Sequence, residues 1–304
     1  MSKQDVYQDV TDRIVDALEQ GVVPWRKPWT SSSQLPINVR SGKPYRGINV
    51  FLLALGGMKA GYSDPRWGTF KAMKEAGGSV RKGEKGTKII LWKPVRGQHE
   101  NDAGEQVGHQ YLLLREYTVF NVQQCDGIEP LELDESVRVH TPDQAAEAIV
   151  AGYKLRPWIG HGSSQACYAP ETDSVHMPNP ERFESSDAYY TTLFHELVHS
   201  TGHESRLNRL EPALFGSDPY AKEELVAELG AAMLAGLAGL GEAGGEQSAA
   251  YIGGWLRKLR DDRKLVVQAA AAAQRAADRI VGETFELEAG GEAAGELEPA
   301  LAAA

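Results

Sequence analysis

The chain has 304 residues, enough for one large domain or two ordinary ones. Its content of 42% hydrophobic and 24% charged residues is typical of a protein with a packed core. No window of about 18 continuous apolar residues occurs and residues 1–5 are mostly polar, so we expect neither a transmembrane span nor a signal peptide. Two cysteines, Cys125 and Cys167, are too few for a disulfide framework. We therefore expect a reducing cytoplasm and no membrane partner.

Charge is strongly segregated along the sequence. The whole chain has a net charge of −10. Residues 21–98, in contrast, contain 15 Lys and Arg and only three acidic residues, a net charge of +12. This asymmetry indicates two units with different partners. The alternative is that acidic and basic regions attract each other within one fold.

The first part of the chain predicts a compact α+β unit over residues 1–125. Apolar residues at helical spacing predict an amphipathic first helix, and an Asp-Pro pair predicts the start of a third helix. Apolar runs on either side of a glycine- and charge-rich stretch predict a β-hairpin. In chain order the predicted elements are helices 6–19, 48–59 and 64–76, then strands 88–92 and 111–120 with a hairpin loop over 96–108.

The second part predicts a linker, a second unit and a tail. Residues 126–140 have the acidic, Gly- and Pro-containing composition of a linker, and residues 286–304 that of a disordered tail. The unit between them, residues 141–285, is predicted to contain two short strands and several helices. These elements are a helix to about residue 151, strands within 158–177, a helix over 186–200 ended by Gly202, a helix from 218 to 234, and helical structure over 248–281.

The strongest functional signal is the pentad His195-Glu196-Leu197-Val198-His199. Positions i and i+4 of a helix share one face, so both imidazoles can reach one metal ion while the glutamate faces a water. The flanking residues are apolar, which predicts a buried helix, and burying these polar groups without partners would cost several kcal/mol. A bound cation would offset that cost. The alternative is a hydrogen-bonded pair of core histidines with a surface glutamate.

A catalytic zinc ion normally has three protein ligands, and the third has competing candidates. Glu224, on the next predicted helix, is the preferred ligand in a gluzincin-like set. Glu228, one turn later, is expected to brace a metal-bound histidine or to serve as the ligand itself. His203 is a weaker candidate for ligand or supporting group, and Glu223 is expected only to complement the helix dipole. The expected cofactor is Zn²⁺, with Mn²⁺ or another divalent ion as the alternative.

These residues predict hydrolysis of a peptide bond. The cation would lower the pKa of a water ligand, and Glu196 would accept its proton and return it to the leaving amine. The segment 173–178 is expected to present a strand edge to an extended peptide. The oxyanion needs a further donor, for which the candidates near in sequence are Tyr189, Tyr190, His203 and Arg206.

Aromatic residues are concentrated in the basic window, which holds four of the six tryptophans. Cations that follow phosphates beside aromatic faces on which bases stack are typical of single-strand binding. The sequence has no helix-turn-helix or zinc-finger signature, so sequence-specific recognition of duplex DNA is less favoured. The alternative is that the tryptophans are core and the lysines form a solvated face. The residues expected to bind nucleic acid are Trp25, Arg26, Lys27, Trp29, Lys43, Tyr45, Arg46, Arg66, Trp67, Arg81, Lys82, Lys85, Lys88 and Trp92.

Several short motifs occur in a fixed order, at residues 24–29, 45–49, 83–86, 120–124, 194–203 and 223–228. Together they resemble the ArdC-type antirestriction proteins of conjugative plasmids, whose N-terminal domain is also similar to that of plasmid TraC primases. The resemblance extends to about residue 282. It implies a single-stranded-DNA-binding domain, a zincin-like metallopeptidase domain and protection of incoming plasmid DNA from host restriction.

We therefore predict a two-domain α+β cytoplasmic protein that binds single-stranded DNA and cleaves an unknown protein, for which a restriction-system component is a candidate. The alternative is a DNA-binding shield whose metal site is structural or inert, although such a site has no use for Glu196 as a base. A third interpretation, an accessory fragment of a primase, is disfavoured because this chain has no primase catalytic segment.

Overall fold

The fold is described from a computed structural model of the chain. The structure describes residues 5–26, 35–100, 106–129, 131, 142–210, 218–241 and 249–282; of residues 93–100, 106–112, 142 and 218 it describes the backbone alone. The predicted tail, 286–304, and most of the predicted linker, 126–140, lie outside the described residues. Among the described helices, none combines the length and the hydropathy needed to span a lipid bilayer.

The N-terminal unit combines helices with two small sheets. Its first helix matches the prediction, with Val10, Ile14 and Leu18 buried and the Asp5 carboxylate accepting a hydrogen bond from the Tyr7 amide. The elements in chain order are α1 (Val6–Glu19), β1 (Ile37–Asn38), α2 (Ile48–Ala60), β2 (Arg66–Gly68), α3 (Phe70–Glu75), β3 (Ser79–Val80), β4 (Thr87–Glu100), β5 (Gln106–Asn121) and β6 (Cys125–Asp126).

A long antiparallel hairpin forms half of the main sheet. β4 and β5 pair from Thr87↔Val119 to Glu100↔Gln106, so these strands occupy most of the stretch predicted as a hairpin loop, and that prediction is wrong. The sheet order is β1-β2-β5-β4, with β1 and β2 parallel and the other pairs antiparallel. β3 and β6 pair separately.

The segment after Asp64 also differs from its prediction. The chain forms β2 where a helix was expected after Pro65, and α3 begins only at Phe70, with Thr69 as its side-chain cap. The buried Asp64 carboxylate accepts hydrogen bonds from the amide and the guanidinium of Arg66. Because β2 pairs with strands on both sides, sheet formation overrides the local Asp-Pro signal.

The C-terminal unit is mainly helical. Its pentad-bearing helix ends where Gly202 was expected to end it. The single helical stretch expected over 248–281 is two helices, separated at residues 262–264. The elements are α4 (Pro142–Gly152), β7 (Trp158–His161), β8 (Cys167–Ala169), β9 (Ser174–Met177), α5 (Ser186–Thr201), α6 (Asp218–Ala238), α7 (Ala249–Asp261) and α8 (Leu265–Val281).

The sheet of this unit has the order β7-β9-β8. β9 pairs in parallel with β7 and antiparallel with β8, so both of its edges are occupied. The prediction that the segment 173–178 presents a free edge is therefore wrong. The outer strands are β7 and β8, and β8 is the one that lines the cleft described below.

One hydrophobic cluster runs through both units. It joins residues of α1 and α2 to residues of α5, α6, α7 and α8. At the contact, the rings of Trp25 and Trp255 meet edge to face at 5.8 Å, and the Arg46 guanidinium pairs with the Asp278 carboxylate. The Gly47 amide donates to the side-chain oxygen of Gln274 at 2.8 Å. The two units therefore share a core.

Candidate functional site

The pentad lies on α5, which is buried on both sides of its His/Glu stripe. The Ser185 hydroxyl caps the helix by accepting a hydrogen bond from the Ala188 amide at 3.1 Å. Because the flanking apolar side chains occupy the core, the two histidines are left to face the cleft beside α6. The flanking residues, each at most 2% exposed, are Leu193, Phe194, Leu197 and Val198.

Three potential metal ligands converge between α5 and α6. The Nε2 atoms of His195 and His199 are 3.1 Å apart, and Glu224 places Oε2 3.5 Å from the first and Oε1 3.6 Å from the second. A Cβ at Gly230 would lie 2.8 Å from Cγ2 of Val198, so the glycine permits this close helix contact. Within the described ranges, this is the one group of three His, Cys, Asp or Glu side chains whose ligand atoms lie within 4.8 Å of one another.

This donor set fits a divalent metal ion. In a tetrahedral site with bonds of about 2.1 Å, neighbouring ligand atoms lie about 3.4 Å apart. The observed donor separations, 3.1, 3.5 and 3.6 Å, bracket that value. Two imidazoles and one carboxylate leave a fourth position for water or substrate, which is the pattern of catalytic rather than structural zinc sites.

Glu223 fixes the orientation of His199. Its Oε1 lies 3.2 Å from Nδ1 of His199, and because a carboxylate only accepts, Nδ1 carries the proton and Nε2 keeps a lone pair for a metal. Arg209 donates to both oxygens of Glu223, at 2.7 and 2.8 Å. Burial raises the pKa of Glu223, but the hydrogen bonds from Arg209 and His199 outweigh burial and hold this pKa below its ordinary value.

The charges around the donors favour a cation. Burial raises the pKa of Glu224, but the hydrogen bond from His195 and the charges of both histidines lower it overall. Burial by itself lowers the pKa of His195, whereas the hydrogen bond to Glu224 and the charges of Glu228, Glu196 and Glu224 produce a net rise. The rise at His195 reflects the negative charge of three carboxylates around it, and such a concentration of negative charge attracts a divalent ion.

Glu196 and Tyr220 line the same cleft as the donors. Glu196 is 8% exposed. Tyr220, in the first turn of α6, forms a hydrogen bond with Glu224. Burial, followed by the charges and hydrogen bond of the neighbouring carboxylates, raises the pKa of Tyr220 to about 12. The hydroxyl is protonated at neutral pH and donates to the Glu224 carboxylate here; by turning away from Glu224 it could donate to a developing oxyanion instead.

The cleft has a volume of about 1100 Å³ and is bordered by β8, α5, α6 and α8. This is at the upper end of the ~300–1,000 Å³ range of small-molecule pockets, and it leaves room for a segment of polypeptide. β8 is an outer strand of its sheet, and its residues Cys167 and Tyr168 line the cleft. An unpaired strand edge at a cleft can add an extended peptide by backbone hydrogen bonds.

The supporting residues differ from those expected. Glu228 accepts a hydrogen bond from the Tyr251 hydroxyl at 2.9 Å, and the contact to a pentad histidine is made by Glu223 instead. His203 is outside the donor group and its Nδ1 lies 2.8 Å from the Ser205 hydroxyl. Sequence reasoning missed Glu223 because acidic residues near the N-terminus of a helix have an ordinary electrostatic explanation.

Three of the four oxyanion candidates are engaged away from the donors. The Arg206 guanidinium, 1% exposed, is held by a carboxylate and two backbone carbonyls. Sequence reasoning missed Tyr220, whose signal is its i,i+4 spacing to Glu224 on one helix face. The observed side-chain pairs are Arg206 with Asp173, Tyr190 with Glu147, and Tyr189 with His161.

Many of the predicted nucleic-acid residues have roles in the fold. Trp25 and Trp67 are 3% and 2% exposed, so neither ring is open to a base in this structure. The expectation that these two rings stack on bases is therefore wrong, because both belong to the core. The others contact the protein: Arg26 lies over the Tyr251 ring, the Tyr45 hydroxyl donates to the Trp67 carbonyl, and Arg46, Arg66, Arg81 and Lys88 pair with Asp278, Asp64, Glu84 and Glu116.

Besides Arg81, which pairs with Glu84, four predicted nucleic-acid residues are exposed. Lys43, Lys82 and Lys85 lie on the surface of the N-terminal unit, and Trp92 is 45% exposed. Lys27 and Trp29 lie outside the described residues. The structure thus leaves a basic surface with fewer aromatic groups than the sequence suggests.

Comparisons with known proteins agree with this two-part organisation. Residues 4–120 match the N-terminal domain of anti-restriction factor ArdC, and residues 144–272 match a zincin-like metallopeptidase family. The metal-free crystal structure of the antirestriction ArdC protein from plasmid R388 is 38% identical, with a TM-score of 0.72, and the match covers 93% of this chain and 100% of that one. Its Mn(II)-bound structure is 40% identical, with a TM-score of 0.73, covering 91% and 97%.

Curated relatives include a much larger protein. DNA primase TraC of Escherichia coli is 40% identical over 299 residues, which are 92% of this chain but 27% of the primase. Protein y4eC of Sinorhizobium fredii (strain NBRC 101917 / NGR234) is 37% identical over 284 residues, 90% of this chain and 91% of y4eC. The matches confirm the predicted resemblance and the predicted mixed helix-and-sheet fold with two domains, the second of them zincin-like.

Proposed function

Because the chain belongs to the ArdC family of antirestriction proteins, we propose that it is a metal-dependent peptidase whose N-terminal unit binds single-stranded DNA and which protects incoming DNA from host restriction. The observation that carries the peptidase part is the convergence of His195, His199 and Glu224 beside the buried Glu196. The net charge of +12 in residues 21–98 and the match to the ArdC N-terminal domain support the DNA-binding part.

The proposed mechanism assigns a role to five side chains of the cleft. His195, His199 and Glu224 would hold Zn²⁺ or Mn²⁺, which when bound supplies Lewis acidity to a water and to the scissile carbonyl. Glu196 accepts the proton of the attacking water and delivers it to the leaving amine. Tyr220 donates a hydrogen bond to the oxyanion.

The shape of the cleft supports a polypeptide substrate. The outer edge of β8 would pair with an extended segment and hold its backbone along the cleft. Backbone pairing selects for an extended or unfolded chain rather than for a particular sequence. A denatured protein is therefore the appropriate first probe.

The test uses the full chain loaded with Zn²⁺ or Mn²⁺ and denatured casein as the probe. We expect cleavage by the wild type and loss of cleavage in Glu196→Gln, because this change removes the base but keeps the size of the side chain. Metal content and affinity for single-stranded DNA should be unchanged in this variant. Glu181→Gln, at an exposed position outside the cleft, is the matched control.

Equal cleavage by Glu196→Gln and wild type would overturn the assigned mechanism. If neither ion supports cleavage of casein, yet the protein still protects DNA from restriction in a transformation assay, the protein is a non-enzymatic shield. Its metal site would then be structural or inert.

A further inference from the structure

Phe70 is an exposed aromatic side chain with no place in the core. It lies at the start of α3 and is 57% exposed, more than Trp92, the other exposed large apolar side chain described in the N-terminal unit. Its ring meets the edge of the partly buried Phe120 ring at 6.5 Å and 74°. This pair presents an aromatic face to solvent, on which a base can stack.

Two sequence motifs that have no part in the metal site meet beside this ring pair. The buried Gln124, from the motif at 120–124, donates to the Glu84 carboxylate and to the Lys85 carbonyl, both at 3.0 Å. These two bonds fix the loop of the motif at 83–86. A Cβ at Gly86 would lie 3.1 Å from Cε1 of Phe120, so the loop lies directly against that ring.

Three exposed lysines lie on the helix that carries Phe70 or at the loop that contacts Phe120. Lys74 is one helical turn after Phe70 and shares its face of α3, whereas Lys82 and Lys85 are exposed on or next to the fixed loop. In the described part of the chain, no carboxylate lies within the 4.0 Å limit of an ion pair with these three ammonium groups, unlike Lys71, which is 3.8 Å from Glu75. Their charge is therefore available to an external anion.

We propose that single-stranded DNA binds to the Phe70 surface, defined as the rings of Phe70 and Phe120 with Lys74, Lys82 and Lys85. The proposal rests on the DNA-binding role proposed above and names where that binding occurs. A base stacks on the exposed face of Phe70 while the lysines contact neighbouring phosphates. This combination tolerates any sequence, because every base has a π face and every nucleotide a phosphate.

Fluorescence anisotropy of a labelled oligothymidine of about 20 nucleotides tests the stacking step on the full chain. Phe70→Ala should weaken binding at least ~fivefold, the lower bound for loss of one stacked base, and Phe70→Trp should restore it. Trp158→Ala is the matched control, because this ring is 65% exposed on the C-terminal unit. A duplex competitor of the same sequence should displace the probe poorly.

The salt dependence of the same assay tests the lysines. Replacing Lys74, Lys82 and Lys85 together by alanine should reduce the slope of log K against log salt by about 2, since each phosphate contact on a single strand contributes about 0.7. Lys154→Ala, at an exposed position of the C-terminal unit, should leave the slope unchanged.

The outcomes separate the two proposals. If the wild type does not bind the oligonucleotide at all, the DNA-binding role itself is wrong. If the wild type binds and Phe70→Ala binds equally well, the role stands and the Phe70 surface is wrong; loss of binding in Trp92→Ala would then place the strand at Trp92. Equal affinity for duplex and single strand would also contradict stacking on Phe70.

Discussion

At the scale of single residues, a histidine that ligates a metal needs a partner that fixes its tautomer, and Glu223 is placed to do this for His199, a proposed ligand. Glu223→Gln would remove the negative charge, weaken the acceptor and leave Arg209 without its ion pair. We expect metal affinity to fall about 10- to 100-fold, as for other partners of ligating histidines. Isothermal titration of the metal-stripped full chain with Zn²⁺ measures this.

The control for this prediction is again Glu181→Gln, which removes one exposed carboxylate from the same unit. Affinity for single-stranded DNA should not change in either variant. If Glu223→Gln and Glu181→Gln bind Zn²⁺ equally well, Glu223 serves only the helix dipole, as its sequence position first suggested.

Tyr220 makes a second prediction at this scale. Its hydroxyl is protonated at neutral pH, as for an ordinary tyrosine, and burial and then two carboxylates raise its pKa further, to about 12. Tyr220→Phe should lower kcat for casein about 100-fold, the cost of losing one oxyanion donor, with KM within about twofold. Tyr189→Phe is the contrasting variant, since this hydroxyl contacts His161 instead. A normal kcat in Tyr220→Phe would assign the oxyanion to another donor.

At the scale of elements, the proposed metal site depends on how closely α5 and α6 pack. Gly230→Ala would place a Cβ 2.8 Å from Cγ2 and 3.0 Å from Cγ1 of Val198, a β-branched side chain with little rotamer freedom. The helices must separate, which moves Glu224 away from the histidines. We expect about tenfold weaker Zn²⁺ binding with unchanged helix content by circular dichroism.

Gly253→Ala is the matched control for this packing prediction. It is also a helical glycine, but nothing lies within 4 Å of its added Cβ. Because alanine is the better helix former, this variant should gain up to about 1 kcal/mol in stability and keep its metal affinity. Identical Zn²⁺ affinity in both glycine variants would mean that the helix contact does not set the ligand positions.

The elements that sequence predicted well are those with a strong local signal. α1 and α5 have an apolar period and a side-chain cap, and both ends of each lie within one residue of the prediction. The helix expected after Asp64 failed because β2 gains two strand partners that no local pattern reveals. The hairpin loop was predicted too long, since the charged and glycine-containing segments at 96–100 and 106–108 still pair as strands.

The residues of the candidate site also fall into those that a local sequence signal predicted and those that it missed. His195 and His199 follow from their spacing on one helix, and Glu224 from a second helix with a suitable face. Glu223 and Tyr220, the proposed support of His199 and the proposed oxyanion donor, could not be identified in this way. Their roles depend on which side chains of α6 contact α5, and the sequence does not show that tertiary contact. The same limit explains the wrong prediction for Trp25 and Trp67. The sequence pattern of a tryptophan beside arginines is the same whether its ring is buried or open to a base.

At the scale of the whole molecule, the N-terminal unit contacts α6, the helix that carries the proposed ligand Glu224, through Tyr251 and Glu228. The Trp25 indole donates to the Tyr251 hydroxyl at 3.1 Å, and that hydroxyl donates to Glu228 at 2.9 Å. The guanidinium of Arg26 lies 4.4 Å from the centre of the Tyr251 ring and 3.8 Å from Glu228. Residues expected to hold DNA therefore join the two units.

This shared core predicts one unfolding transition for the two units. α1 and α2 pack against α7 and α8 within one hydrophobic cluster, so neither unit can unfold without exposing apolar surface of the other. Thermal unfolding followed by tryptophan fluorescence and by far-ultraviolet circular dichroism should give coincident curves. Two separate transitions would show that the units are independent despite their contact.

Arg46→Ala tests that coupling across the contact. Among the described residues, the carboxylate of Asp278, itself 8% exposed, then keeps only the hydrogen bond from Gln274, and the loss should cost about 1–3 kcal/mol. Both probes should shift to lower temperature together, because the lost pair belongs to the common core. Arg40→Ala breaks an exposed pair with Glu75 inside the N-terminal unit and should cost under ~1 kcal/mol. A shift confined to one probe in Arg46→Ala would contradict cooperative unfolding.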